Sequence, residues 1–243
     1  TATFYSRNNA FSMMGFDTFT SKECMNISQY TPNGNWPTDD VLVQETVKSM
    51  NATESQSDFV YTITVEGHGD YPTEKLLENP DILVSGAADE ASNNQWEYYV
   101  NMIHEVDDFI GDLITAVDRR GEDTIIVFFG DHLPTMGLTD ADMKSGDIFK
   151  TKYITWNNMG LAKKDADLTA YQLLAHITDQ AGIHEGTMFR YHQTQTASET
   201  YLSGLEDLQY DLLYGKRYTY GGEDRYPASD LVMDVEDVTV SSV

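Results

Sequence analysis

A continuous apolar run, Ile125-Ile126-Val127-Phe128-Phe129, is followed at once by Gly130-Asp131-His132-Leu133-Pro134. No other stretch restricts the possible folds as much. A run of β-branched and aromatic residues bounded by turn signals reads as a strand buried on both faces, the kind found in parallel sheets covered by helices. Gly130 permits a turn or a close backbone approach, so Asp131 and His132 are expected where the strand gives out. In open α/β sheets ligands gather outside the carboxyl ends of strands. A hard carboxylate oxygen beside an imidazole nitrogen at that place suits half of a divalent-metal site. The same two residues also suit a turn aspartate followed by a hydrogen-bonded histidine.

The rest of the chain is consistent with an α/β class. Phe59-Val60-Tyr61-Thr62-Ile63-Thr64-Val65 has high strand propensity and runs into Glu66-Gly67-His68-Gly69-Asp70-Tyr71-Pro72. The two glycines would let the imidazole and backbone come close to a ligand. Tyr99, Met102, Ile103, Val106, Phe109, Ile110, Leu113, Ile114 and Val117 recur at helical spacing, which predicts a long amphipathic helix ended by Gly121 and leading into the 125–129 strand. Shorter helices are predicted after Thr38-Asp39-Asp40 (Val41, Gln44, Val47, Met50), around Leu168–Ile177 and around Tyr201–Leu212. Lys152–Trp156 reads as a further strand, and Leu231–Val240 alternates like an edge strand. His104 and His176 are read as helix-face residues. These signals divide the chain at 185/186: residues 1–185 as one α/β region, and 186–243 as a tyrosine-rich helical extension with a terminal strand.

Composition excludes some functions. With 15 Lys+Arg against 40 Asp+Glu the formal net charge is -25, which argues against nucleic acid and against electrostatic docking on anionic lipid. The one cysteine, Cys24, rules out an intramolecular disulfide. No stretch approaches the roughly 20 apolar residues needed to span a bilayer. Arg7 is the only arginine in the first hundred residues. A guanidinium beside Tyr5, Asn8 and Asn9 suits either a phosphate or a surface ion pair.

Taken in order, Phe4-Tyr5-Ser6-Arg7, Gly67-His68-Gly69 with Tyr71-Pro72, and the strand with Gly130-Asp131-His132 make the chain resemble the extracellular catalytic domain of lipoteichoic acid synthase-like phosphoglycerol transferases, in the sulfatase/alkaline phosphatase superfamily. The resemblance covers about residues 1–185. It implies a mostly parallel sheet with helices on both faces, lacking the N-terminal part of the domain, and a small α+β extension at the carboxyl end. It also implies that Asp131 and His132 are ligands of a divalent metal, Mn2+ or Mg2+. His68 would be the catalytic, phosphate-contacting histidine, and Arg7 and Tyr5 would line the substrate pocket. Tyr5 stands where better-known members carry Trp. The nucleophilic Thr and a Glu ligand of such enzymes precede the segment matching Thr1 onward, and their pocket His just before the aromatic-Arg segment has no counterpart here. The implied reaction is metal-dependent transfer of phosphoglycerol from a phosphatidylglycerol-type lipid head group to a glycerol-phosphate polymer. It would take place at the outer face of a membrane to which the parent is anchored by parts absent here, and the 243 residues alone would be inactive. A sulfate- or phosphate-ester hydrolase of the same superfamily and a non-catalytic cell-surface binding module are the alternatives.

Overall fold

The computed structural model describes residues 2–53, 55–223 and 230–233. They fall into two compact units, the described residues of Thr1–Trp156 with Ser229–Val243, and those of Asn157–Ala228.

In the first unit the helices are α1 (Arg7–Met13), α2 (Val41–Asn51) and α3 (Glu90–Asp118), and the strands are β1 (Ile125–Phe129) and β2 (Tyr153–Asn157). Helix α3 starts where Asp89 accepts a hydrogen bond from Ser92 N–H, the arrangement of an acidic N-cap. Its apolar stripe buries Met102, Phe109, Leu113 and Val117. The last three join Leu42 and Met50 of α2 in one cluster. Past the end of α3, Arg120 donates to the Asn51 side chain and the Met50 carbonyl, tying the ends of α2 and α3 together.

The sheet differs from expectation. Among the described residues it has two strands, and they are antiparallel: Gly130 N–H, just past the end of β1, donates to the carbonyl of Lys152, just before β2. Nor is β1 buried on both faces; its first four residues are half-buried and Phe129 is exposed. Side chains alternate across a strand. Ile126 and Phe128 therefore pack on the α2–α3 cluster while their neighbours face the other way. The apolar run signals a strand with one face on a core, and not the centre of a parallel sheet.

Residues 59–65 are not a strand. A strand needs a ladder partner, and the amides at the end of this segment are already committed. Val65 N–H and Glu66 N–H both donate to the Asp39 carboxylate. The expected edge strand over 231–240 lies mostly outside the described residues; Val232 forms an isolated parallel bridge with Thr18.

The second unit holds α4 (Ala170–Gln180), α5 (Thr187–Gln195) and α6 (Tyr201–Leu213), and among its described residues the regular structure is helical. Its buried apolar residues are Ala175, Ile177, Tyr201 and Leu205, with a histidine among them. His192 is buried with Nδ1 2.7 Å from the Tyr201 hydroxyl, and burial pushes its pKa down. Tyr191 stacks on Tyr201 at an interplanar angle of 12° and donates its hydroxyl to the Tyr201 carbonyl. That hydroxyl passes over Gly204, where an added Cβ would stand 2.3 Å from Tyr191 Oη. Gly204→Ala is therefore expected to destabilise this unit by about 1–2 kcal/mol despite the better helix propensity of alanine, read as a lower chemical-denaturation midpoint. A gain in stability would mean that Tyr191 swings aside freely.

Candidate functional site

Two loops meet beyond the ends of residues 59–65 and of β1. The first, 66–71, is held by hydrogen bonds to its backbone. Trp36 Nε1–H donates to the Gly69 carbonyl at 2.6 Å and Asn33 to the Asp70 carbonyl at 2.9 Å. The Tyr71 hydroxyl donates to the Gly67 carbonyl. Burial, with Tyr99 nearby, raises the pKa of Tyr71 to about 12, so that hydroxyl remains a neutral donor. A Cβ at Gly67 would lie 2.8 Å from Ile103 Cδ1, so the loop rests directly on α3. A Cβ at Gly69 would be 3.3 Å from Thr135 Oγ1, which brings the second loop, 130–135, against the first.

The imidazoles of His68 and His132 meet edge to face, with centroids 5.8 Å apart, and Trp36 also packs on His68, at 4.9 Å. Each histidine turns Nδ1 to a backbone carbonyl, His68 to Gly69 at 2.9 Å and His132 to Leu133 at 2.8 Å. A carbonyl can only accept, so the neutral tautomer carries its proton on Nδ1 and Nε2 is left with a lone pair. The His132 side chain is 53 % exposed.

Asp131 lies beside His132, with Oδ1 3.7 Å from Nε2. Metal–ligand bonds of about 2.0–2.2 Å allow two donors up to roughly 4 Å apart on one ion, and the carbonyl on Nδ1 is the usual support of a ligating histidine. The donors thus fit a divalent ion in kind and in spacing. They supply two ligands only: among the described residues no group of three or more His, Cys, Asp or Glu is arranged to hold a metal.

Arg7 and Tyr5 are placed differently. The guanidinium of Arg7 sits 5.5 Å from the Phe4 ring centroid, and Tyr5 is 82 % exposed with a left-handed φ of 53°. Among the described residues no hydrogen bond, ion pair or ring contact joins either one to His68, Asp131 or His132. The supports of the site are not evident from sequence. Trp36 stands among many aromatics, Asp39 reads as a helix start, and Glu66 reads as the residue before a glycine. Their link to the His68 loop spans some thirty residues and leaves no local pattern.

Asp39 and Glu66 are 1 % and 4 % exposed. Glu66 Oε2 accepts from Asp39 N–H at 2.9 Å, while Asp39 Oδ1 and Oδ2 accept from Val65 N–H at 2.9 Å and Glu66 N–H at 3.1 Å. Burial raises both pKa values, Asp39 to about 6 and Glu66 to about 7. The hydrogen bonds oppose this, and the negative charges of Asp40 on Asp39, and of Asp39, Glu105 and Asp40 on Glu66, add to it.

The family model described as Sulfatase matches residues 1–205, a span that takes in both loops. A protein of Rhizobium meliloti (strain 1021) named "Putative cyclic beta-1,2-glucan modification protein" is 25 % identical over 258 aligned positions, which cover 89 % of this chain and 40 % of that protein. The chain therefore spans well under half the length of that relative. No solved structure matches it. No helix of the described residues is long and apolar enough to cross a membrane.

Proposed function

Because the chain belongs to the sulfatase family, we propose that it forms part of an enzyme moving a phosphoglycerol group from a phosphatidylglycerol-type lipid to a hydroxyl of a cell-envelope polymer. The name of the Rhizobium relative points to a β-glucan as that polymer. In this reading the P–O bond to diacylglycerol breaks and a P–O bond to the acceptor forms. A Thr outside these 243 residues carries the group in between, at the outer face of the membrane.

The observation that carries the reading is the meeting of His68 with the Asp131–His132 pair on two loops of a sulfatase-family chain. Asp131 and His132 would hold Mn2+ or Mg2+, which supplies neutralisation of phosphoryl charge when bound. His68, with Nδ1 committed to Gly69, meets a phosphate oxygen through Nε2, and only its imidazolium form donates there. Its tautomer and tilt are set by the loop, which limits the reorganisation needed as charge develops. Arg7 and Tyr5 would approach the head group from the first turn of the chain, since a guanidinium fork matches phosphate oxygens.

The test uses the full-length parent, labelled phosphatidylglycerol and a neutral β-1,2-glucan. Wild type is expected to yield glycerophosphoryl-glucan. Asp131→Ala is expected to lower that yield by roughly 10²-fold or more and to weaken Mn2+ binding, measured separately by calorimetry. Release of free glycerol phosphate without labelled glucan would make the enzyme a hydrolase. Unchanged Mn2+ affinity in Asp131→Ala would remove the metal assignment.

A further inference from the structure

We propose that Asp39 and Glu66 are positioning residues for His68: a reciprocal latch of two buried carboxylates that sets where the 67–70 loop presents its imidazole. The inference rests on the reading above in taking His68 as a phosphate contact, but the latch itself stands on geometry.

Buried carboxylates are costly unless their oxygens are satisfied, and among the described residues neither has a Lys, Arg or His within ion-pair distance. Their partners are backbone amides, and each carboxylate grips the other's strand of chain. Asp39 takes Val65 N–H and Glu66 N–H; Glu66 takes Asp39 N–H. Asp39 also leads into α2, where its carbonyl accepts from Leu42 N–H. The ring of three hydrogen bonds therefore joins the start of a helix to the start of the His68 loop.

The far side of the loop is tied to the same segment. Trp36, three residues before Asp39, holds the Gly69 carbonyl and packs its ring on His68. Val65, held by Asp39, offers its carbonyl to His68 N–H at 3.0 Å. His68 is thus suspended between two anchors on residues 36–39. If the Asp39–Glu66 ring opens, one anchor goes and the imidazole is free to move relative to His132.

The two acids have different jobs, which makes the latch testable. Asp39 accepts from two neighbouring N–H groups and needs both oxygens. An asparagine would turn a donor toward one of them. Glu66 accepts from one N–H, and a glutamine oxygen can do the same. Asp39→Asn should therefore fail where Glu66→Gln succeeds.

The experiment is NMR on the 243-residue chain with labelled histidines and backbone. Asp39→Asn and Glu66→Ala are expected to shift or broaden the His68 imidazole signals and the amides of 67–70, with the amides of α3 and the His192 ring signals unchanged. Glu66→Gln is expected to overlay on wild type. His68 signals unmoved in a folded Asp39→Asn, or Glu66→Gln perturbing them as much as Glu66→Ala, would overturn the latch. If Asp39→Asn does not fold, the Glu66→Ala and Glu66→Gln comparison decides alone. Titration with sn-glycerol 1-phosphate, followed at His68, separates the two readings. If both readings hold, Glu66→Gln binds as wild type and Glu66→Ala binds roughly tenfold or more weakly. A wild-type His68 indifferent to the probe would sink its phosphate role, while the shift comparison still judges the latch.

Discussion

Raising the pH from about 4 to about 8 is expected to weaken the first unit, and Glu66→Gln is expected to cancel part of that loss. Asp39 and Glu66 have folded pKa values of about 6 and about 7 against ordinary values of 3.8 and 4.5. A carboxyl whose pKa is raised by folding favours the native state when protonated. Its contribution is complete below the ordinary pKa and is lost as pH rises through the folded one. The window therefore runs from about pH 4 to about pH 7. A tenfold change in proton affinity corresponds to about 1.4 kcal/mol, so the two linked groups together account for a loss of a few kcal/mol. The exposed carboxylates Asp89 and Asp142, held low by their serine and threonine hydrogen bonds, act in the opposite sense and only in more acid solution.

In the second unit the sign reverses. His192 and His176 have pKa values pushed down, first by burial, so their contribution is present above the ordinary histidine value of 6.5 and lost as pH falls through the lowered ones. Denaturant unfolding at pH 5 and pH 8 checks both directions. At pH 8 Glu66→Gln should be more stable than wild type by about 1–3 kcal/mol, with little gain at pH 5. A variant that loses stability equally at both pH values would show that the Glu66 charge costs nothing when buried.

The strength of each sequence signal explains what is legible. Helix α3 has nine apolar positions at helical spacing and a glycine stop, and the predicted stretch from Tyr99 to Val117 lies inside an observed span of Glu90–Asp118; α2 and α6 show themselves the same way. Helices α1 and α5 escape a reading by periodicity because Arg7–Met13 and Thr187–Gln195 lack an apolar stripe: α5 buries only His192. The strand expected at 59–65 does not form because propensity describes side chains, whereas strand formation is decided by partners for the backbone. Here the last amides go to a carboxylate 26 residues away in sequence. The apolar run of β1 misleads about sheet direction because five such residues are equally compatible with half-burial on a helix pair. Asp131 with His132, and His68, stand out in the sequence because each sits in a short local motif, and the two imidazoles do meet. Trp36, Asp39 and Glu66 do not, because a latch between distant segments has no period and no motif.

Phe109→Ala is expected to destabilise the first unit by about 3–5 kcal/mol, and to be felt at the site. Phe109 is 5 % exposed in the cluster with Leu42, Met50, Leu113 and Val117, and Ile126 and Phe128 of β1 pack on that cluster. Interiors are close-packed, so a cavity of this size cannot be filled by relaxation of the neighbours alone. Among the described residues strand β1 has one neighbouring strand and one helical face, so its position depends on that face. Asp131 and His132 follow β1 directly, with Gly130 between. A core change should therefore shift the His132 imidazole resonances even though Phe109 belongs to neither loop. Leu202→Ala, at a position 59 % exposed in the second unit, serves as the comparison and should stay within about 0.5 kcal/mol of wild type. Denaturation and histidine NMR on the two variants check both parts. A Phe109→Ala loss below about 1 kcal/mol, or an unmoved His132, would show that β1 is seated by something other than the α2–α3 core.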